Sequence, residues 1–274
     1  MSVKHGKCSK RKKRGRKMKK NQNLCVHYKQ QEKIKNCIFE LMKKNELYKK
    51  EDFEQAWQKF LLEQEKIKKE EFVMFLSAGN LKIGYNIGIF DLPSVMTCAY
   101  NCKKCYAKKS ERIYKNTRQK RMRMLLHIYY AIINSQYKNK LIKNMVKNCM
   151  LFPIIRIHSS GDFFHEKYLN FWLQVINQCK NTNFYTYSKI LSNNKIDYIN
   201  NTYKNFNIVK SLIYIDDKTF LNFGKNEYIK ELEKKLKAKK EKYFICDYQN
   251  MEKHACMITC KKCLNCSCVL FHEH

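Results

Sequence analysis

Short β-rich runs alternate with amphipathic stretches from about residue 76 onward, and this alternation constrains the fold more than any other feature of the 274-residue chain. Residues 84–90 (Gly-Tyr-Asn-Ile-Gly-Ile-Phe) predict a strand. A long helix is expected from about 110 to 147, with Met122, Leu125, Leu126, Tyr129 and Ile133 on one side. Strands are expected at 154–158, 184–187 and 208–215, with a helix at about 168–179 between the first two. A charged helix near 225–242 then precedes a short strand at 243–246. This order argues for an α/β fold with a largely parallel sheet or a partial barrel. In such folds reactive groups collect at the C-terminal ends of strands.

Ahead of this core, Ile34, Cys37, Ile38, Leu41 and Met42 share one helical face, and Phe53, Trp57, Phe60 and Leu61 repeat the spacing. The expected organisation is therefore a disordered basic arm over 1–24, a helical segment over 25–75, an α/β core over 76–245 and a Cys-rich extension over 246–274. The hydrophobic fraction of 44% supplies apolar surface for a sizeable core despite a formal charge of +32.

That charge is partly background. Of 56 basic residues 48 are Lys, and Asn appears 26 times, an enrichment that A+T-rich coding alone would produce. Residues 1–31 hold 12 basic and no acidic residues, leaving a net +20 on the rest. The run from Lys10 to Lys20 lacks apolar periodicity and reads as a solvated arm that could contact nucleic-acid phosphates. Arg112, Arg118, Arg121 and Arg123 hold half of all Arg in twelve residues. A planar guanidinium suits a phosphate or carboxylate, while an ordinary helix surface paired with acidic neighbours is the plainer expectation. No stretch reaches the ~18–20 apolar residues of a membrane span, and no signal-peptide pattern follows the basic start, so a cytoplasmic protein is expected.

In a reducing compartment 14 cysteines are better read as metal or redox groups than as disulfides. Nine fall in two windows. Cys98-x3-Cys102-x2-Cys105 lies in the loop after the first strand, where three thiolates could hold three irons of a 4Fe–4S cluster and leave the fourth open. They could equally hold Zn²⁺ with a fourth ligand, or remain a free-thiol loop. Lys103 and Lys104 would favour deprotonated thiols. The second window reads Cys246-x9-Cys256-x3-Cys260-x2-Cys263-x2-Cys266-x-Cys268, a strong metal-binding pattern that suits zinc or an iron–sulfur cluster. Cys8, Cys25, Cys37, Cys149 and Cys179 read as ordinary thiols.

The run Ile154-Ile-Arg-Ile-His158-Ser-Ser-Gly161-Asp162 ends a strand in a tight Ser-Gly-Asp turn, with Asp162 at the strand's carboxyl end. Asp162 could instead cap the following helix. His158 reads as a packed histidine, a proton donor or a fourth zinc ligand.

Several of these motifs together resemble a known family. Leu76-Ser-Ala-Gly-Asn80, Thr97-Cys98, Cys105-Tyr106-Ala107, Arg156-Ile-His158, Ser160-Gly-Asp-Phe163 and the Cys-rich end are similar to the phage- and plasmid-encoded gene product 88 family. The three-cysteine loop also resembles that of the radical S-adenosylmethionine superfamily, although Lys104 stands where an aromatic residue is usual. This resemblance implies a partial (βα) barrel carrying S-adenosylmethionine and a 4Fe–4S cluster on Cys98, Cys102 and Cys105. It implies that Ser160, Gly161 and Asp162 form the turn meeting the cofactor's methionine amino group, and that Ser211 lies near its ribose. The gene product 88 resemblance maps Cys246, Cys260, Cys263 and Cys266 onto that family's terminal cysteines, implying a second 4Fe–4S cluster or a zinc, with Cys256 and Cys268 as extras.

Two functions remain in view. The first is a radical S-adenosylmethionine-type enzyme of a mobile element, acting on an unknown substrate through a 5′-deoxyadenosyl radical and served by an electron donor. The second is a metal-scaffolded nucleic-acid-binding protein without catalysis. A metal-dependent nuclease built on Asp162 and His158 lacks the paired carboxylates of two-metal sites.

Overall fold

The computed structural model describes residues 29–43, 46–80, 83–98, 105–210, 243–246 and 268–271. The chain divides into two units, Met1–Glu46 and Leu47–His274. In the first, residues 29–43 form a helix, α1. The basic arm and the expected helix at 225–242 lie outside the described residues.

The second unit opens with α2 (Lys50–Lys68), whose Phe53, Trp57, Phe60 and Ile67 are buried along one side at helical spacing. A two-residue strand β1 (Ser77–Ala78) pairs antiparallel with β2 (Ile87–Phe90). After β2 come four helices, α3 (Ser94–Thr97), α4 (Tyr106–Ile113), α5 (Lys115–Ile133) and α6 (Ser135–Cys149). The long helix expected over 110–147 is thus several pieces. The break between α5 and α6 falls at Asn134, whose side chain accepts from the Tyr137 N–H at 2.8 Å and so caps a new helix.

Strand and helix then alternate as β3 (Ile154–Ile157), α7 (Glu166–Gln178), β4 (Asn183–Ser188), α8 (Asn193–Thr202) and β5 (Phe206–Lys210). Helix α8, rich in Asn and weakly apolar, escapes a periodicity reading; only Ile196 and Ile199 are buried in it. Two further strands, β6 (Tyr243–Cys246) and β7 (Cys268–Phe271), complete the sheet. Its order is β1-β2-β3-β4-β5-β7-β6, and every pair after β1–β2 is parallel. The fold is mixed α/β with an open sheet, and no barrel closes among the described residues.

From β2 to β5 each successive strand is added on the same side of its predecessor. Right-handed crossovers then carry the connecting helices onto one face. The core agrees: Phe90 meets Trp172 of α7 edge-to-face with centroids 5.0 Å apart. Ile155, Ile157 and Phe184, from the β3–β4 ladder beside it, are also buried. On the opposite face Ile87, Ile154, Tyr185 and Val209 are buried too, with Ile89, Arg156, Tyr187 and Asn207 half-buried among them. Parallel pairing also puts the carboxyl ends of β2 to β5 on one edge, next to one another. No helix among the described residues is long and apolar enough to cross a membrane.

Candidate functional site at the carboxyl edge of the sheet

Beyond their last ladder residues, β2 and β3 stay joined. The His158 N–H donates to Phe90 O at 2.8 Å, and the Leu92 N–H to Ser160 O at 3.0 Å. The Ser160 hydroxyl donates to Leu92 O at 2.8 Å. Asp91 accepts from the Ser160 N–H at 2.9 Å and from the Ser159 hydroxyl at 2.7 Å. The segment leaving β2 is therefore fixed to the turn leaving β3 before it reaches the cysteines.

Cys98 then closes α3 and Cys105 precedes the first residue of α4; both are half-buried and neither is in a disulfide. Cys102 lies outside the described residues. The two helices flanking this loop meet on one carboxylate. Glu111 of α4, fully buried, accepts from the Ser94 N–H at 2.8 Å and from the Ser94 hydroxyl at 2.7 Å. The Arg121 guanidinium reaches Glu111 at 2.9 Å and Asp91 at 3.2 Å. Burial opposes the Arg121 charge, but Asp91 and Glu111 outweigh it and raise its pKa.

The Ser-Gly-Asp turn is packed into this frame. Gly161 has φ +91°, and a Cβ there would stand 2.7 Å from Thr97 Oγ1 and 2.9 Å from Leu92 Cβ, so only Gly lets the turn approach the base of the cysteine loop. The Asp162 carboxylate, 2% exposed, accepts from Ser188 Oγ at 2.8 Å, from the Lys189 N–H at 2.8 Å and from the Phe163 N–H at 2.7 Å. It joins the ends of β3 and β4. Burial pushes its pKa up and these donors pull it back, leaving it raised. Asp162 does not cap the next helix, because the N-cap of α7 is His165, which accepts from the Lys167 N–H at 3.0 Å.

His158 occupies the left-handed region at φ +64°, unusual for a residue other than Gly or Asn. Its Nε2 lies 2.6 Å from the Tyr168 hydroxyl, which also accepts from Trp172 Nε1 at 3.0 Å. Trp can only donate, so the Tyr168 oxygen accepts from it, and the imidazole meets the same hydroxyl through Nε2, leaving Nδ1 to find a partner elsewhere. That Nδ1 is buried without a hydrogen-bond partner. Burial pushes the imidazole pKa down to about 3, with Asp91 opposing, so the ring is neutral.

The arginine cluster is directed inward. Arg118 pairs with Asp52 at 2.7 Å, Arg121 with Asp91 and Glu111, and Arg123 with Glu63. Glu63 also accepts from His127 Nε2 at 3.1 Å. Burial pushes His127 down and keeps it neutral. Of the four arginines only Arg112 is exposed.

The remaining site residues are placed only in part. Ser211 directly follows β5 but lies outside the described residues, as do Cys256, Cys260, Cys263 and Cys266. Cys246 ends β6 and Cys268 begins β7. Their Cα partners are Phe271 and Tyr243, so the two cysteines are three positions out of register. Among the described residues no group of three His, Cys, Asp or Glu converges on a metal position.

Glu111 and Asp91 are absent from the sequence reading. One signal was available: Glu111 is the only acidic residue between Asp91 and Asp162. A lone carboxylate in so basic a stretch is a candidate for a buried partner of the clustered arginines.

These features define an α/β protein whose sequentially wound strands lead, at their carboxyl edge, into a cysteine loop with flanking helices braced by the buried Glu111. The gene product 88 family model matches residues 40–269, most of the chain, and the protein belongs to the gene product 88 family. No curated protein and no solved structure matches it.

Proposed function

We propose that the chain is an iron–sulfur protein of the radical S-adenosylmethionine type, built on a partial barrel whose inner face is the one opposite α7. The observation that carries this reading is the position of the Cys98–Cys105 loop. It leaves the carboxyl end of β2, the first of four sequentially wound parallel strands, where (βα) folds hold their reactive groups.

The donor set suits a cluster with an open iron. Cys98 and Cys105 sit at the two ends of one excursion between helices that share a carboxylate, and Cys102 lies between them in sequence. Cys98, Cys102 and Cys105 would hold three irons, leaving one coordination position for a substrate. When bound and reduced, such a cluster supplies the electron that cleaves S-adenosylmethionine to methionine and a 5′-deoxyadenosyl radical. The chain's own part is to hold the loop, exclude water and orient the cofactor. On this reading the side chains of Ser160 and Asp162 brace the strand ends and the turn backbone faces the cofactor's methionine part, with Ser211 toward the ribose. Cys246, Cys260, Cys263 and Cys266 would hold a second cluster or a zinc.

The alternative, a metal-scaffolded nucleic-acid-binding protein, rests on the basic arm, the net +20 of the remaining chain and the Cys-rich end; Arg118, Arg121 and Arg123 pair with internal carboxylates.

Iron, zinc and sulfide content of anaerobically purified protein, repeated with Cys102→Ala, tests the proposal. Loss of about four irons in the variant is expected, together with 5′-deoxyadenosine on reduction with S-adenosylmethionine. Zinc without labile sulfide, and salt-sensitive binding to an oligonucleotide, would instead favour the scaffold reading.

A further inference from the structure

We propose that Glu111 is a positioning residue that holds together the two flanks of the cysteine loop, the helices ending at Cys98 and starting after Cys105, before any metal arrives. The proposal concerns the site read above as a cluster site, but it rests on contacts of the protein alone.

Its basis is that one buried carboxylate closes the loop from both sides. Ser94 opens α3, four residues before Cys98, and Glu111 lies in α4, six residues after Cys105. Both Glu111 oxygens are used on Ser94, one taking the N–H and the other the hydroxyl. The excursion carrying the three thiols therefore begins and ends at a two-point clamp. Arg121 extends the clamp to Asp91, and Asp91 carries it through Ser159 and Ser160 to the end of β3. The chain of contacts runs from α4 through α5 to two strand ends, with one cation between two anions.

The clamp has a chemical reason. Bringing thiolates together is opposed by their mutual repulsion and by the entropy of a flexible loop. Fixing the flanking backbone in advance removes part of the entropic cost from the binding step, as preorganised sites do generally. Gly161 serves the same end, since its missing Cβ lets the turn press against Thr97, the residue before Cys98.

The test compares Glu111→Gln, Ser94→Ala and Glu63→Gln. Glu111→Gln removes the charge that holds Arg121 and one acceptor for Ser94. Ser94→Ala removes one hydrogen bond and leaves the ion pair, so it keeps the question open if the first variant does not fold. Glu63→Gln breaks the buried pair with Arg123 elsewhere on α5 and reports general destabilisation. Two readouts are taken on metal-free, reduced protein: amide hydrogen exchange over 94–98 and 105–111, and alkylation rates of Cys98 and Cys105. Exchange and alkylation at least about tenfold faster are expected for Glu111→Gln, with a smaller increase for Ser94→Ala and none localised to the loop for Glu63→Gln. Unchanged rates in both clamp variants, or equal loosening by Glu63→Gln, overturn the proposal. Iron loss to a chelator from reconstituted protein should follow the same order. If the wild-type protein takes up no iron at this loop, the cluster reading fails while the metal-free readouts still decide the role of Glu111.

Discussion

His158 shows how far a single residue can depart from what its neighbours in sequence suggest. It follows four β-rich residues, yet its backbone is left-handed and its ring is locked to Tyr168. The unfolded chain takes up a proton on this ring below about pH 6.5, whereas the folded chain takes it up only near 3. Its contribution to stability is complete above about pH 6.5 and falls as pH drops toward 3, at up to about 1.4 kcal/mol per pH unit. His158→Asn tolerates the same φ and removes the titration. Urea melts at pH 7, 5 and 4 should show a shallower acid loss in the variant, and equal slopes would exclude His158 as a source. Gly161→Ala should cost about 1–3 kcal/mol through its positive φ, with added overlap on Thr97, and should speed alkylation of Cys98. A sequence shows that a Gly precedes Asp162; it does not show that Thr97, far upstream, occupies the space where a Cβ would go.

Among the elements, α5 has the most surprising content. Three arginines in one turn and a half read as a surface, or as a grip for an anionic ligand, yet each meets a carboxylate from elsewhere in the fold. Their partners Asp52, Asp91 and Glu63 are remote in sequence, and only Glu111, the second partner of Arg121, lies near enough for a local pattern to suggest it. Removing one partner leaves a buried charge uncompensated. Arg121→Met should therefore destabilise by about 3–5 kcal/mol, and exposed Arg112→Met by under about 0.5 kcal/mol, both checked by denaturant melts. The broken helix teaches a similar lesson on a local scale. The apolar spacing through 110–147 is continuous, but Asn134 offers its side chain to the Tyr137 N–H and restarts the helix. Asn134→Ala should cost about 1 kcal/mol.

For the whole molecule, alternation and strand-end placement were legible because they depend on local apolar patterns. The cysteine loop after the first long strand and the turn after the next were both visible in the sequence, and the structure places them side by side. The position of β7 was not legible. Its four residues lie within a Cys-rich stretch, and they join the sheet only through pairing with β6 and one ladder pair with β5, Cys268 opposite Lys210. Val269→Pro would remove a ladder donor. Exchange protection of both β7 and β6 should then be lost together, while β2 to β5 stay protected; protection surviving in β6 would contradict the order β5-β7-β6.

That strand order also has a meaning in time. Synthesis delivers β1 to β5 in the order in which they pair, so each finds its neighbour already made. The pattern ends at β6, whose described neighbour is β7, 22 residues further along. Until that later strand emerges, β6 presents two unpaired edges and β5 presents one. A ribosome stalled between them would hold a half-sheet with exposed backbone, and this is the interval in which the nascent chain has most need of a chaperone.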